Sequence, residues 1–396
     1  MNEGEAVTRA TDEGPDRRCR HHGPFLARRC CGASFDPALS LLAFMVVLTA
    51  SCRSSPLQLL AAETGAFDEF FRLGASVELQ EAEEDPIGDI AILVECRNGD
   101  LLVGDQINVQ VRRYDPAGRL LAMFGRYGEG PFEFRRIGAL LENRDGGILV
   151  TDPRLGRVTV LTHDLHPDTS LLIRPAPRAG AFAMGEAVLL ATAAGPRSTA
   201  FTLMDRHWRA VWSIPAPTPG TMRQYPYWDS YASIPAAVTS QFVVTAYSLR
   251  YPIYIYGQGG GLLDSLRSAP HSFRTAPVLP MGAFAGPDAS RRQDEWLASF
   301  DILSNLMILQ DSLLVVVHGV LRRTATSRAA SEDRRLDVYH LPSRSKLAED
   351  IPLPDSSRVL SGGGALYLLT AQPPRAWKIQ QAEFVHVPRA SGEGRR

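Results

Sequence analysis

Lysine is almost missing from this chain. Lys346 and Lys378 are the only two, and arginine supplies the rest of the 42 basic residues. Against 43 acidic residues the formal net charge is −1, which excludes a global attraction to nucleic acid or anionic lipid. Cysteine is scarce too. Of the five, Cys19, Cys30 and Cys31 precede an apolar run, Cys52 follows it, and only Cys96 lies beyond. One remaining thiol builds neither a disulfide framework nor a Cys-based metal site. The zinc-protease pattern HExxH and the nucleophile elbow GxSxG are absent. Long helical stripes are missing after residue 77, apart from "RRQDEWLASFDILS" (291–304).

What is present begins with an address. Arg28 and Arg29 precede "ALSLLAFMVVLTA" (38–50), which ends in Ser51 and Cys52. A basic flank, a short apolar core and small residues make a secretory signal. Such a core spans only about 20 Å as a helix, short of a bilayer. "LTASC" (48–52) is similar to a bacterial lipobox, with Thr49 where Leu is commoner. The resemblance implies a diacylated Cys52 and a lipid anchor in the bacterial cell envelope, on the periplasmic or outer-membrane face. A plain cleaved signal and an uncleaved anchor remain the alternatives. The expected organisation is an extension and signal over 1–51, a tether over 52–74, and one large domain over 75–396.

From about Val77 the pattern turns into four- to eight-residue β-rich runs parted by Gly, Pro, Asp and Asn, which is the signature of hairpins. "NGDLLVGDQINVQVRRYD" (98–115) repeats in "DGGILVTDPRLGRVTVLT" (145–162) at a constant shift of 47 residues. Gly99 meets Gly146, Val103 meets Val150, Asp105 meets Asp152, and Val111 meets Val158. Four antiparallel strands in about 40–50 residues describe a propeller blade. Four further blades are expected over 181–215, 233–267, 306–353 and 357–387. The strand "ASVELQEAEE" (75–84) would pair with the last and remove the open edge. The fold class is therefore all-β, a six-bladed β-propeller of four-stranded antiparallel blades. A seventh blade is possible if 268–304 hides a degenerate one.

The stretch "GDLLVGDQINVQVRRYDPAGRLLAMFGRYGEGPFEF" (99–134), followed by "DGGILVTDPRLGRVTVL" (145–161), resembles the NHL family of β-propellers. The chain is also similar to six-bladed bacterial lipoproteins of unassigned activity. The resemblance covers two blades and fades afterwards. It implies either a binding scaffold or, as in some NHL-like proteins, a lyase or metal-dependent enzyme.

Candidate site residues follow from blade geometry. "GRYGEGP" (125–131) is not a phosphate loop, because no helix opens after it and the P-loop lysine is missing; it is expected as a blade-to-blade crossing. Crossings gather on one face. They place Arg135 and Arg136 near the channel mouth, and with them Arg291 and Arg292, as holders of an anion or as solvated rim charges. Arg223, Tyr225, Tyr227, Trp228 and Tyr231 crowd one crossing with the composition of a binding hot spot or a lid. Asp105 and Asp152 are candidate Ca²⁺ ligands at the channel or, alternatively, turn caps. His318 in "LLVVVHGV" is expected as a satisfied core histidine, and His163 and His166 as solvated turn residues. No cofactor is otherwise expected. The functional expectation is a non-catalytic, membrane-tethered binding module for a protein, peptide or glycan. The alternative is a calcium-dependent hydrolase or lactonase, or an NHL-like lyase, acting in the central channel.

Overall fold

The computed structural model describes residues 62–174, 176–177, 180–192, 199–215, 234–277, 282–323, 329–354, 357–362, 364–372 and 376–385. Cys52 and the Arg223, Tyr225, Tyr227, Trp228, Tyr231 group lie outside them. After the short helix α1 (Phe67–Phe70), strand β1 runs over Phe71–Leu79. Blade one holds β2 (Ile90–Glu95), β3 (Leu101–Asp105), β4 (Gln110–Tyr114) and β5 (Leu120–Phe124). Blade two holds β6 (Ala139–Glu142), β7 (Ile148–Asp152), β8 (Arg157–Leu161) and β9 (Pro167–Leu172). Blade three holds β10 (Ala181–Met184), β11 (Ala187–Ala191), β12 (Thr199–Met204) and β13 (Ala210–Pro215). Blade four holds β14 (Ala236–Val238), β15 (Phe242–Tyr247), β16 (Arg250–Gly257) and β17 (Leu262–Leu266). A second helix, α2 (Ala289–Leu297), precedes blade five, which holds β18 (Asp301–Leu309), β19 (Leu313–Arg323), β20 (Ala329–His340) and β21 (Ser345–Pro352). Blade six holds β22 (Ser357–Gly362), β23 (Ala365–Gln372) and β24 (Ala376–Phe384).

The six sheets are antiparallel, and the inner strands of successive blades neighbour one another round a ring. The last blade reads β1-β24-β23-β22, so the earliest strand supplies its outer edge, with Phe71 opposite Phe384 and Leu79 opposite Trp377. Closure thus joins the two ends of the domain, and no blade is left one strand short. β1 begins at Phe71, four residues ahead of the expected start at Ala75. Blade five begins at Asp301 rather than Leu306, because the helical stripe ends at Leu297 and its continuation is strand. Among its described residues the 268–304 insertion holds one helix and the start of an inner strand, not a seventh blade.

Period-two alternation sends neighbouring residues to opposite sides of a blade. Leu101 and Val103 pack with Leu360 and Ile379 of blade six, while Leu102 packs with Ile148 and Val150 of blade two. The hydrophobic core is accordingly a set of seams between adjacent blades rather than one central mass. The 47-residue echo is exact in the strands: β3 and β7, β4 and β8, and the first residues of β5 and β9 sit at that spacing.

Candidate functional site

Two devices fix the face on which the blade crossings gather. The first is the repeated aspartate. Asp105, fully buried, accepts the Gly88 backbone N–H at 2.9 Å and the Asn108 side-chain Nδ2 at 3.0 Å on Oδ2, and the backbone N–H groups of Asp89, Ile107 and Asn108 at 3.1–3.2 Å on Oδ1.

 Asp152 does the same one blade on, accepting the Arg135 N–H at 2.7 Å and the Arg154 and Leu155 N–H groups at 2.8 and 3.1 Å. Each carboxylate thus ties the turn after a blade's second strand to the crossing that enters the same blade. This is the turn-cap geometry, and the oxygens of Asp105 are saturated by protein donors. The fully buried Arg112 lies 3.6 Å from Asp105 and 3.1 Å from Asp85.

The second device is the crossing itself. "GRYGEGP" folds back so that the Gly128 N–H reaches the Phe134 carbonyl at 3.1 Å, while Glu133 accepts from the Gly130 N–H at 2.8 Å. Gly125 sits at φ +109°, where a Cβ would lie 2.9 Å from the Val109 carbonyl oxygen and 3.0 Å from the Phe134 ring, so both handedness and space require glycine. On this loop the Arg135 guanidinium lies 4.6 Å from the Tyr127 ring centre and pairs with Glu129. Tyr127 remains 63% exposed. Arg136 is exposed and makes no ion pair with any described residue. Arg291 and Arg292 do not join this group. Arg291 pairs with Asp288 and Glu295 beside and within α2, and Arg292 donates to the Ala283 carbonyl at 3.1 Å. Both make these contacts within their own segment.

His166 is exposed, as expected of a turn residue, but His163 is only half-exposed and rests against Arg113, which pairs with Asp100 and Asp164. On the opposite face a groove of about 350 Å³ opens between blades two and three, lined by Leu141, Asp145, Gly185 and Trp208 and spanned by the exposed Arg144–Glu186 pair.

A polar cluster that the sequence did not signal lies in the seam between blades four and five. β19 and β20 pair Val316 with Asp337 and His318 with Arg335, so His318 and Asp337 are diagonal neighbours on one face. Leu336 and Val338 point to the blade-six side, while Leu314, Val316 and Tyr339 face blade four. On β21 the register slips between Ile351 and Ala348, placing Glu349 and Asp350 opposite the single residue Asp337. That bulge, with Asp350 at φ +57°, turns the Asp350 carboxylate inward. The result sets His318 Nε2 3.3 Å from Asp337 Oδ2 and 3.8 Å from Asp350 Oδ1.

Hydrogen bonds hold the carboxylates in place. Asp337 accepts the Asp350 N–H at 3.0 Å and the Tyr251 hydroxyl at 3.3 Å, and Asp350 accepts the Ser272 N–H at 3.2 Å and the Ser272 hydroxyl. Burial first, then the Asp337 charge, push the Tyr251 phenol well above its ordinary range, so it serves as a neutral donor. The neighbouring Glu349 is held below the usual carboxylate range: burial pushes it up, but hydrogen bonds from Lys346 and His271 outweigh that. His318 is buried, as the sequence suggested, yet neither ring nitrogen has a hydrogen-bond partner. The satisfied core histidine expected from "LLVVVHGV" is therefore not what the fold builds.

No family model matches the chain, and no curated protein matches it by sequence. Solved structures do match in fold. A member of the duf4221 family from Bacteroides vulgatus aligns at TM-score 0.60 and 10% identity, covering 81% of this chain and 99% of that one. A Bacteroides fragilis protein named as a candidate exported protein aligns at TM-score 0.58 and 11% identity, covering 82% and 98%. A virginiamycin B lyase from Staphylococcus aureus aligns at TM-score 0.45 and 11% identity, covering 78% and 99%, and at that score carries no argument here. At these identities the likeness establishes the fold alone: this chain is a six-bladed β-propeller.

Proposed function

We propose that the chain is an exported propeller, tethered to a bacterial envelope membrane through a lipidated Cys52, which binds a protein, peptide or glycan without transforming it. The signal-like run at 38–50 supports export, and the name of the Bacteroides fragilis neighbour accords with it. The observation that carries the binding role is the crossing loop of blade one. It is braced from beneath by Asp152, yet it holds Tyr127 exposed with a guanidinium stacked on the ring. An exposed aromatic on a rigid loop is an amphipathic contact already ordered before binding, so little entropy is lost when a ligand covers it. The calcium-enzyme alternative draws no support from Asp105, because backbone and amide donors fill its oxygens.

The test is a screen of immobilised peptides and glycans with the purified full chain, followed by titration of the best hit. Tyr127→Ala and Arg135→Ala are expected to weaken binding at least tenfold while leaving the melting temperature unchanged. Equal binding by both variants, or turnover of the bound ligand, would overturn the reading.

A further inference from the structure

We infer that His318, Asp337 and Asp350 form a binding site for one divalent transition-metal ion of the zinc or manganese class, set in the seam between blades four and five. This inference is independent of the binding role proposed for the crossing face.

Three observations converge on it. First, the donor atoms are spaced for a shared ion. Metal–ligand bonds of about 2.0–2.2 Å place adjacent donors roughly 3.0–3.6 Å apart. His318 Nε2 lies 3.3 and 3.8 Å from the two carboxylate oxygens, and all three donors fall within 4.8 Å of one another. Second, the imidazole is 1% exposed and neither ring nitrogen is in a hydrogen bond, although Nε2 lies beside the Asp337 carboxylate. A buried polar group without a partner is costly, and a ring nitrogen aimed between two carboxylates has a metal ion as its natural partner. Third, the charges do not balance. Asp337 and Asp350 bring two negative charges into the seam, and Arg335, 3.8 Å from Asp350, supplies one positive charge. Glu349 beside them is already matched by Lys346 and His271, and the Tyr251 and Tyr339 hydroxyls facing the cluster are neutral donors.

The surroundings have the form of a second layer of ligand support. Tyr251 and the Asp350 N–H orient Asp337, Ser272 orients Asp350, and the Phe273 ring packs edge-on against the imidazole at 5.8 Å. Such outer contacts fix ligand geometry and exclude water from the ion. One nitrogen and two carboxylates suit zinc or manganese better than calcium, which takes six to eight oxygens. The ion would clip the second, third and fourth strands of blade five together beneath the 268–274 crossing. Its role is a structural staple at the face where ligands would be met.

The full chain, stripped with EDTA and dialysed, is titrated with Zn²⁺ and separately with Mn²⁺ by calorimetry and thermal melting. The expected result is one site per chain and a melting temperature about 5 °C higher at a hundredfold excess over Kd. Ca²⁺ at the same concentration should have much less effect. His318→Ala and the milder Asp350→Asn should each abolish the thermal shift. Asp350→Asn preserves size and can still accept from Ser272, so it keeps the test valid if His318→Ala fails to fold. A wild-type chain with no stoichiometric site and no thermal shift would overturn the inference. An undiminished shift in Asp350→Asn would overturn it equally, because the ion would then bind elsewhere.

Discussion

Replacing Asp105 by Asn isolates the device that joins turn to crossing. Asn conserves the shape and one carbonyl oxygen, which can keep the bonds from Asp89, Ile107 and Asn108 N–H. Its amide nitrogen then faces the Gly88 N–H and the Asn108 side-chain amide, donors that had been 2.9 and 3.0 Å from an acceptor. Two charge-assisted bonds at roughly 1.5 kcal/mol each give a loss of about 3 kcal/mol. The buried Arg112 also loses a carboxylate 3.6 Å away, which adds to the penalty. For a domain of this size that corresponds to a fall in melting temperature of about 6 °C. Urea unfolding followed by tryptophan fluorescence measures the free energy directly. Arg72→Ala, which removes one half of an exposed pair with Glu383, is the control and should change the midpoint little. A loss below about 1 kcal/mol in Asp105→Asn, a value typical of a single neutral hydrogen bond, would refute the saturated-acceptor argument.

Other consequences are open to measurement. Phe71 is buried in the closing seam, stacked on Phe67 at 4.8 Å and edge-on to Phe384 at 5.3 Å; Phe71→Ala should cost about 3–5 kcal/mol in urea unfolding. Gly118, at φ +84°, would place a Cβ 2.1 Å from the Glu78 carbonyl oxygen, so Gly118→Ala should separate β1 from the turn of blade one and lower the melting temperature clearly. Burial, with help from the Glu142 and Asp100 charges, pushes the Cys96 thiol from 9.0 up to about 12. In a chain with its other cysteines changed to Ser, a thiol reagent at pH 8 should react with Cys96 about a thousand times more slowly than in urea. The sign of the linkage follows: a raised thiol pKa contributes stability that is full below pH 9 and is lost as pH rises toward 12.

The ring was legible in the sequence because a propeller repeats its turn chemistry. Gly99 and Gly146, both at positive φ, and Asp105 and Asp152, both capping a crossing, carry the same role at the same spacing. The closing strand was legible because an odd strand at the start must find an edge. Its start was placed late because "FDEFFRLG" mixes helical and strand cues, and one residue, Phe71, marks the switch from α1 to β1. The blade-five cluster was not legible. Asp337 and Asp350 stand 13 residues apart with no motif between them, and only a bulge brings them opposite each other. A weak trace exists in "RRLDVYH", whose alternation puts Arg335, Asp337 and Tyr339 on one face of a strand otherwise read as core. Arg291 and Arg292 take partners within their own segment, a helix ion pair and a backbone carbonyl, which composition alone does not reveal.

The claim that the crossing face meets a partner is tested most directly by photocrosslinking in cells. A photoreactive amino acid is placed at Tyr127 on that face, and in a parallel strain at Leu172 on the outer strand of blade two, which is 73% exposed. A discrete envelope adduct from position 127, absent from position 172 and lost when Arg135→Ala is added, is the predicted result. Equal adducts from both positions, or none from position 127, would contradict the account.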